Sequence, residues 1–221
     1  MEELVRQFFN IEIMAKALPF MLSGLGMTAM LCAVLVPIGL LGGLGAALIS
    51  TGRHRALRIV TAMAVDFFRA VPPLVLLIFI YSALPFAGIE LTPFMAVLLA
   101  FFLNTASFYG EIFRAGIESV GDGQWEAARA TGLNRGQTLV YVIIPQATRN
   151  VLPDLASNTL EIVKLTSLAS VVSFAELLYT AEMARSVTYN ASPVVLAAFI
   201  YLLFMWPLVR LVSRMEHRVA Q

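Results

Sequence analysis

Residues 126–136 read EAARATGLNRG, with charges at Glu126, Arg129 and Arg135, helix breakers at Gly132 and Asn134, and small alanines between them. The surrounding chain is of another kind. Of its 221 residues, 59% are hydrophobic and 13% charged, and the mean hydropathy is +0.83. Soluble domains are about half apolar and about a quarter charged, so this composition indicates a chain that lives in lipid. A polar helix, a turn and a second helix inside such a chain must face water or a partner.

The remaining composition narrows the function classes. A net charge of +1 gives no reason to expect nucleic acid as a partner. Cys32 is the only cysteine and sits in an apolar run, which excludes a disulfide framework and a cysteine metal site. No metal ligand set and no catalytic residue is expected. The start, MEELVRQFFNIE, carries acids where a cleavable signal would carry bases.

A membrane span needs about 20 mainly apolar residues. Windows of that kind cover about 26–50, 59–84, 94–113, 151–178 and 194–212, the fourth being the most polar. Loop charge then sets the orientation. Arg53, Arg55 and Arg58 follow the first span, and Arg114, Arg129, Arg135 and Arg149 follow the third. Arg210, Arg214 and Arg218 close the chain, whereas residues 85–93 carry no basic residue. The positive-inside rule therefore predicts an all-α integral membrane protein with five transmembrane helices, the N-terminus outside and the C-terminus in the cytoplasm.

On that topology the stretch around Glu126 lies in the longest cytoplasmic loop, about 122–146. Asp122-Gly123 reads as a helix start and Gly132 as its C-terminal stop. Asn134 reads as the cap of a second helix, RGQTLVYVII, that Pro145 ends. Trp125, Leu133, Val140, Val142 and Ile143 leave an apolar face that a lone loop cannot bury. The alternative is an ordinary solvated loop helix.

Here the residues resemble a known family. Glu126-Ala127-Ala128, then Gly132, then Val142-Ile143-Ile144-Pro145, is similar to the EAA loop of ABC importer permeases, with Val142 and Ile144 as conservative departures. The likeness extends to FRAVP (68–72), Asn104 with YGEIFRAGIESV (109–120), GQW (123–125), PQA (145–147) and KLTSL (164–168), and runs from about Leu22 into the C-terminal residues 215–218. These segments look like the branch that imports polar amino acids such as histidine, glutamine, glutamate, arginine and opines. The resemblance implies a single type-1 permease domain, 1–221, in a bacterial inner membrane. It implies a second permease subunit, the same or different, two cytoplasmic ATPase subunits, and a periplasmic or lipid-anchored binding protein. It also implies that Trp125, Glu126, Ala127, Ala128, Gly132 and Pro145 form the ATPase-coupling contact. ATP and magnesium would sit in the partner. The chain has no G-x-x-x-x-G-K-[ST] phosphate loop, so its energy must come from a partner or a gradient.

Polar groups inside spans are costly and mark sites or pairs. At 1.5 Å per residue, Arg69 lies about 15 Å into the second span, Asn104 about as deep in the third, and Lys164 about 20 Å into the fourth. Together with Leu165, Thr166 and Ser167 they are candidates for the substrate pathway, Arg69 facing a carboxylate. The alternative is pairing of Asp66 with Arg69 and of Glu161 with Lys164 at i,i+3 spacing. The resembled family often has aspartate where this chain has Leu165, which favours an acidic or polar neutral amino acid over a basic one; the alternative is that a heterodimeric partner carries the full pocket and this subunit is the less specific half. Gly39, Gly43 and Gly45 read as small-residue helix packing, and Pro37, Pro72-Pro73 and Pro207 as kinks or openings. His54 and His217 lie at flanks, which argues against an intramembrane serine hydrolase. The rival reading is a channel or ion-coupled carrier that needs no ATPase, with the buried charges as a relay.

Overall fold

The computed structural model describes the backbone of residues 1–219 and the side chains of residues 1–214, so His217 and Arg218 lie outside the described side chains. Every regular element among the described residues is helical. In order they are α1 (Glu2–Phe8), α2 (Ile11–Ser50), α3 (Arg55–Ala70), α4 (Pro73–Ala83), α5 (Pro93–Glu118), α6 (Asp122–Ala130), α7 (Arg135–Thr138), α8 (Ile144–Asn150), α9 (Leu152–Leu165), α10 (Leu177–Thr188) and α11 (Ser192–Val219). Among the described residues three helical stretches are long and apolar enough to cross a membrane: Glu2–Ser50, Pro93–Glu118 and Ser192–Arg214. The number rises to five if each of two interrupted helix pairs is one crossing.

The first span begins earlier than its apolar window. The Asn10 side chain accepts from the Ile13 backbone N–H at 3.2 Å and starts α2, and Lys16 pairs with Glu12 one turn on at 2.6 Å. Forty residues of helix measure about 60 Å, twice the ~30 Å apolar core of a bilayer, so α2 must extend beyond it. Hydropathy reports only the lipid-facing part of a helix, which is why the window 26–50 was too short. α2 and α11 run unbroken through Pro37 and Pro207.

The second and fourth spans are not single helices. The window 59–84 divides where Val71 and Pro72 turn extended, with ψ of 126° and 130°. Pro72 and Pro73 have no N–H, so the carbonyls of Phe68 and Arg69 lose their i+4 donors and the helix cannot continue through them. The window 151–178 divides for a different reason. Thr166, Ser167 and Ser170 turn their hydroxyls onto the carbonyls of Val163, Lys164 and Ser167 at 2.7–2.8 Å, three residues back. That competition tightens 166–172 into a 3₁₀ turn, and left-handed Ser173 (φ 58°) ends it.

The chain forms two compact units by contact. One comprises Met1–Val36, Pro72–Phe101 and Leu160–Arg210. Ala17, Met21, Leu177, Ala181 and Ala197 pack its core. Within it the 3₁₀ turn 166–172 packs on α4. Glu176 is fully buried: its carboxylate caps α10 by accepting from the Leu178 and Tyr179 N–H groups at 2.8 and 2.6 Å, and accepts from Tyr201 Oη at 2.8 Å.

The other unit comprises Pro37–Val71, Phe102–Thr159 and the C-terminal stretch from Leu211. Here α2 meets α5 through small residues. A Cβ on Gly43 would stand 2.5 Å from Tyr109 Cβ, and one on Gly39 2.7 Å from Thr105 Cγ2. Gly45, expected at that contact, has open space instead, and Gly42 takes its place against Phe102. Buried Tyr109 anchors the unit by a 2.6 Å hydrogen bond with Thr159 Oγ1.

Candidate functional site

The helix pair singled out in the sequence folds as a tight unit. α6 ends in a Schellman arrangement: Leu133 N–H donates to the Ala128 carbonyl at 3.3 Å and Gly132 N–H to Arg129 at 3.0 Å. Gly132 has φ 89°, a left-handed value that glycine adopts at no steric cost. Asn134 then caps α7 through a capping box with Gln137, with bonds of 3.0 and 2.9 Å. The predicted second helix is corrected in its extent. Residues 139–143 form a π-helical turn and the helix continues as α8 to Asn150. Pro145 does not end it: it stands where the π-helical turn 139–143 runs into α8, and the helix continues past it.

One face of this pair is closed and the other open. Ala128, Thr138, Ile143 and Ala147 are buried, and Gln146 bonds Gln124 at 3.2 Å across the two helices. Glu126, Ala127, Arg129, Gly132 and Pro145 are exposed, as are Val140 and Tyr141 at 54% and 71%. Of the six coupling candidates, Ala128 therefore packs inward and Trp125 is half-buried; the other four lie at the surface.

The polar groups of the same unit gather where α3 stops. Asn104 Nδ2 donates to the Phe68 carbonyl at 3.0 Å, the acceptor that Pro72 had left without a donor. Arg69 lies with its guanidinium 5.4 Å from the Phe108 ring centroid and 4.0 Å from Glu111 Oε2, and its Nε is buried without an acceptor. Asp66 is exposed and makes no ion pair with Arg69, contrary to one reading of the i,i+3 spacing. Glu111 is claimed by Arg114, whose Nε and Nη2 reach Oε2 and Oε1 at 3.0 and 2.5 Å, and Arg114 also holds Glu118 at 2.6 Å. Beside this ladder opens a cavity of about 770 Å³. Its walls include Arg58, Asp66, Glu111, Arg114, Glu118 and Trp125.

Lys164 to Ser167 belong to the other unit. Lys164 pairs with Glu161 at 2.5 Å and is exposed, which bears out the pairing alternative. Leu165 is half-buried, Thr166 is buried, and Ser167 is bonded to the carbonyl of Lys164. Glu111 and Glu176 escaped the sequence reading. The spacing of Glu111, Arg114 and Glu118 at i, i+3 and i+7 was legible, but a partner 42 residues from Arg69 was not.

Residues 36–221 match the family described as binding-protein-dependent transport system inner membrane component. The chain is 37% identical over 175 residues to the probable amino-acid ABC transporter permease protein YckA of Bacillus subtilis, covering 79% of this chain and 77% of that one. It is 35% identical over 201 residues to the L-cystine transport system permease protein TcyB of the same organism, covering 90% and 84%. Other matched relatives are named for glutamine and arginine. A crystal structure of an amino acid ABC transporter with histidines superposes with TM-score 0.84 at 36% identity, covering 93% of this chain and 96% of that one.

Proposed function

We propose a mode of action from the premise that this chain belongs to the binding-protein-dependent transport system inner membrane components, as a permease subunit of an amino-acid ABC importer. It is not catalytic; ATP hydrolysis lies in a separate subunit. In our reading it pairs with a second permease, the same or a different chain, in a bacterial inner membrane. The two interrupted helix pairs count as one crossing each, which gives five crossings with the N-terminus outside and the helix pair 122–146 in the cytoplasm. A periplasmic or lipid-anchored binding protein delivers the amino acid, and two ATPase subunits bind ATP and magnesium.

One observation carries the coupling role. The helix pair is fixed by a Schellman turn, a capping box and a buried face, yet it leaves Glu126, Ala127 and Gly132 exposed on one short rigid surface. A helix held so firmly transmits a push without bending. Closure of the ATPase on bound ATP would move this surface, and α8 and α9 follow α7 directly in the chain. A gradient-driven carrier has no use for such a surface.

The substrate reading rests on Arg69, a permanent cation with one long ion pair and an unmatched Nε. A carboxylate arriving with the substrate would complete it. Relatives often carry aspartate where this chain has Leu165, so our reading is an acidic or polar neutral L-amino acid rather than a basic one. The test is ATP hydrolysis by the reconstituted importer with its matching binding protein. Stimulation by glutamate, aspartate or glutamine is expected. Stimulation by arginine or lysine alone would overturn the choice of substrate, and uptake without any ATPase would overturn the mode of action.

A further inference from the structure

We propose that α1 lies flat on the bilayer surface as an interfacial helix, its apolar face sunk among the lipid headgroups and the first carbons of the acyl chains. The helix precedes residues 36–221, which carry the family match. That it lies on the outer surface rests on the proposed topology; the lipid contact itself rests on Ser192–Arg214 being a crossing.

Around α1 the residue types separate completely. Met1, Leu4, Val5 and Phe8, at spacings i, i+3, i+4 and i+7, share one face, and Glu2, Glu3, Arg6 and Gln7 share the other. No residue of the helix is buried, and Leu4, Val5 and Phe8 are 60%, 56% and 40% exposed. Isolated helices shorter than ~12–15 residues are marginal in water, and α1 has seven. Its apolar face therefore needs cover, which the described residues of the chain do not supply.

Three hydrogen bonds set the height of the helix. Asn190 Nδ2 donates to the Arg6 carbonyl at 2.9 Å, the Ala191 N–H to the Gln7 carbonyl at 3.0 Å, and the Asn10 N–H to Ser192 Oγ at 2.9 Å. Ser192 is the first residue of the apolar stretch that ends at Arg214. The last turn of α1 is thus tied to the point where α11 enters the membrane, level with the headgroups. Beyond the bend at Phe9, α2 opens with exposed Ile11, and α11 exposes Phe199, Leu202 and Leu203, so lipid-facing surface continues from α1 in both helices it is tied to. An amphipathic helix at that height buries its apolar side about 5–10 Å into the boundary. Lipid is present there whatever else binds, whereas a protein partner would have to displace it.

The test uses the purified importer in lipid vesicles, without the binding protein, with Cys32→Ala and the other native cysteines of the complex replaced. Single cysteines at Leu4, Phe8, Glu3, Arg6 and Leu203 each carry a nitroxide. Its collisions with oxygen, which concentrates in lipid, and with a water-soluble nickel chelate are measured. Leu4→Cys and Phe8→Cys should favour oxygen severalfold over Glu3→Cys and Arg6→Cys, with Leu203→Cys as the lipid reference. Val5→Cys replaces either apolar variant that does not assemble. Equal ratios on the two faces would overturn the inference. So would labels at 4 and 8 that neither reagent reaches, which would mean cover by a second permease. Labels there that meet the chelate until the binding protein is added, and are then shielded, would assign the face to that protein instead. Chelate contact at Leu203 as well would remove the crossing that sets the height; lipid contact at Leu203 with water at 4 and 8 removes only the placement of α1.

Discussion

Asn104 donates its amide to the carbonyl of Phe68 at 3.0 Å, across 36 residues of sequence. The bond exists because Pro72 stands four residues after Phe68 and has no N–H to give. A carbonyl left without a donor away from water costs about 1–3 kcal/mol, and the Asn104 amide on the neighbouring helix supplies one here. Asn104→Leu should therefore lower the unfolding temperature of the purified complex and cut uptake, by roughly that energy. An unchanged melting curve would show that the break is satisfied by something else.

Glu176 makes a comparable clamp in the other unit, between the cap of α10 and Tyr201. Glu176→Ala loses the cap and the bond from the Tyr201 hydroxyl, at a cost of about 2–4 kcal/mol. Tyr201→Phe keeps the cap and should cost about 1 kcal/mol. Thermal unfolding in detergent reads both; equal effects would contradict the assignment of the cap.

Glycines on one helix should behave in opposite ways. Gly43→Leu would drive a side chain into Tyr109 and the Gly110 backbone, 2.5 and 2.8 Å from the first added carbon. It should abolish stable expression. Gly45→Ala meets nothing within 4 Å and should be neutral or stabilise by up to about 1 kcal/mol through helix propensity. Damage from Gly45→Ala would mean that this face is covered in the assembly.

On our reading the arginines of the loops set the topology. Reporter fusions at Ala87 and Ala220 should report opposite sides of the membrane. The same side for both would sink the five-crossing reading.

Residue by residue, the sequence was most legible where local chemistry decides structure. Gly132 and Asn134 announced a stop and a cap, and they form a Schellman turn and a capping box. The Pro72-Pro73 pair announced an opening, though not that α3 ends at Ala70. Two features stayed hidden because their cause is not a window average. Helix α2 starts at Ile11 because Asn10 caps it, and its first turns carry two charges, Glu12 and Lys16, that neutralise each other as a pair. Hydroxyls wind 166–172 into a 3₁₀ turn although the segment is apolar enough to read as continuous helix. Tertiary pairs such as Arg69 with Glu111 were out of reach of any spacing rule on one helix.

The central claim is that the surface around Gly132 transmits ATPase motion to the membrane helices. Gly132→Asp tests it most directly, because φ 89° strains any L-residue and the added carboxylate occupies an exposed position with nothing within 4 Å in this chain. The measurement is ATP-driven uptake in reconstituted vesicles, alongside co-purification of the ATPase, with Gly123→Ala as the control at another open position. The account predicts normal membrane insertion, loss of the ATPase from the complex and loss of uptake for Gly132→Asp, with Gly123→Ala close to wild type. Full uptake and a retained ATPase in Gly132→Asp would contradict it.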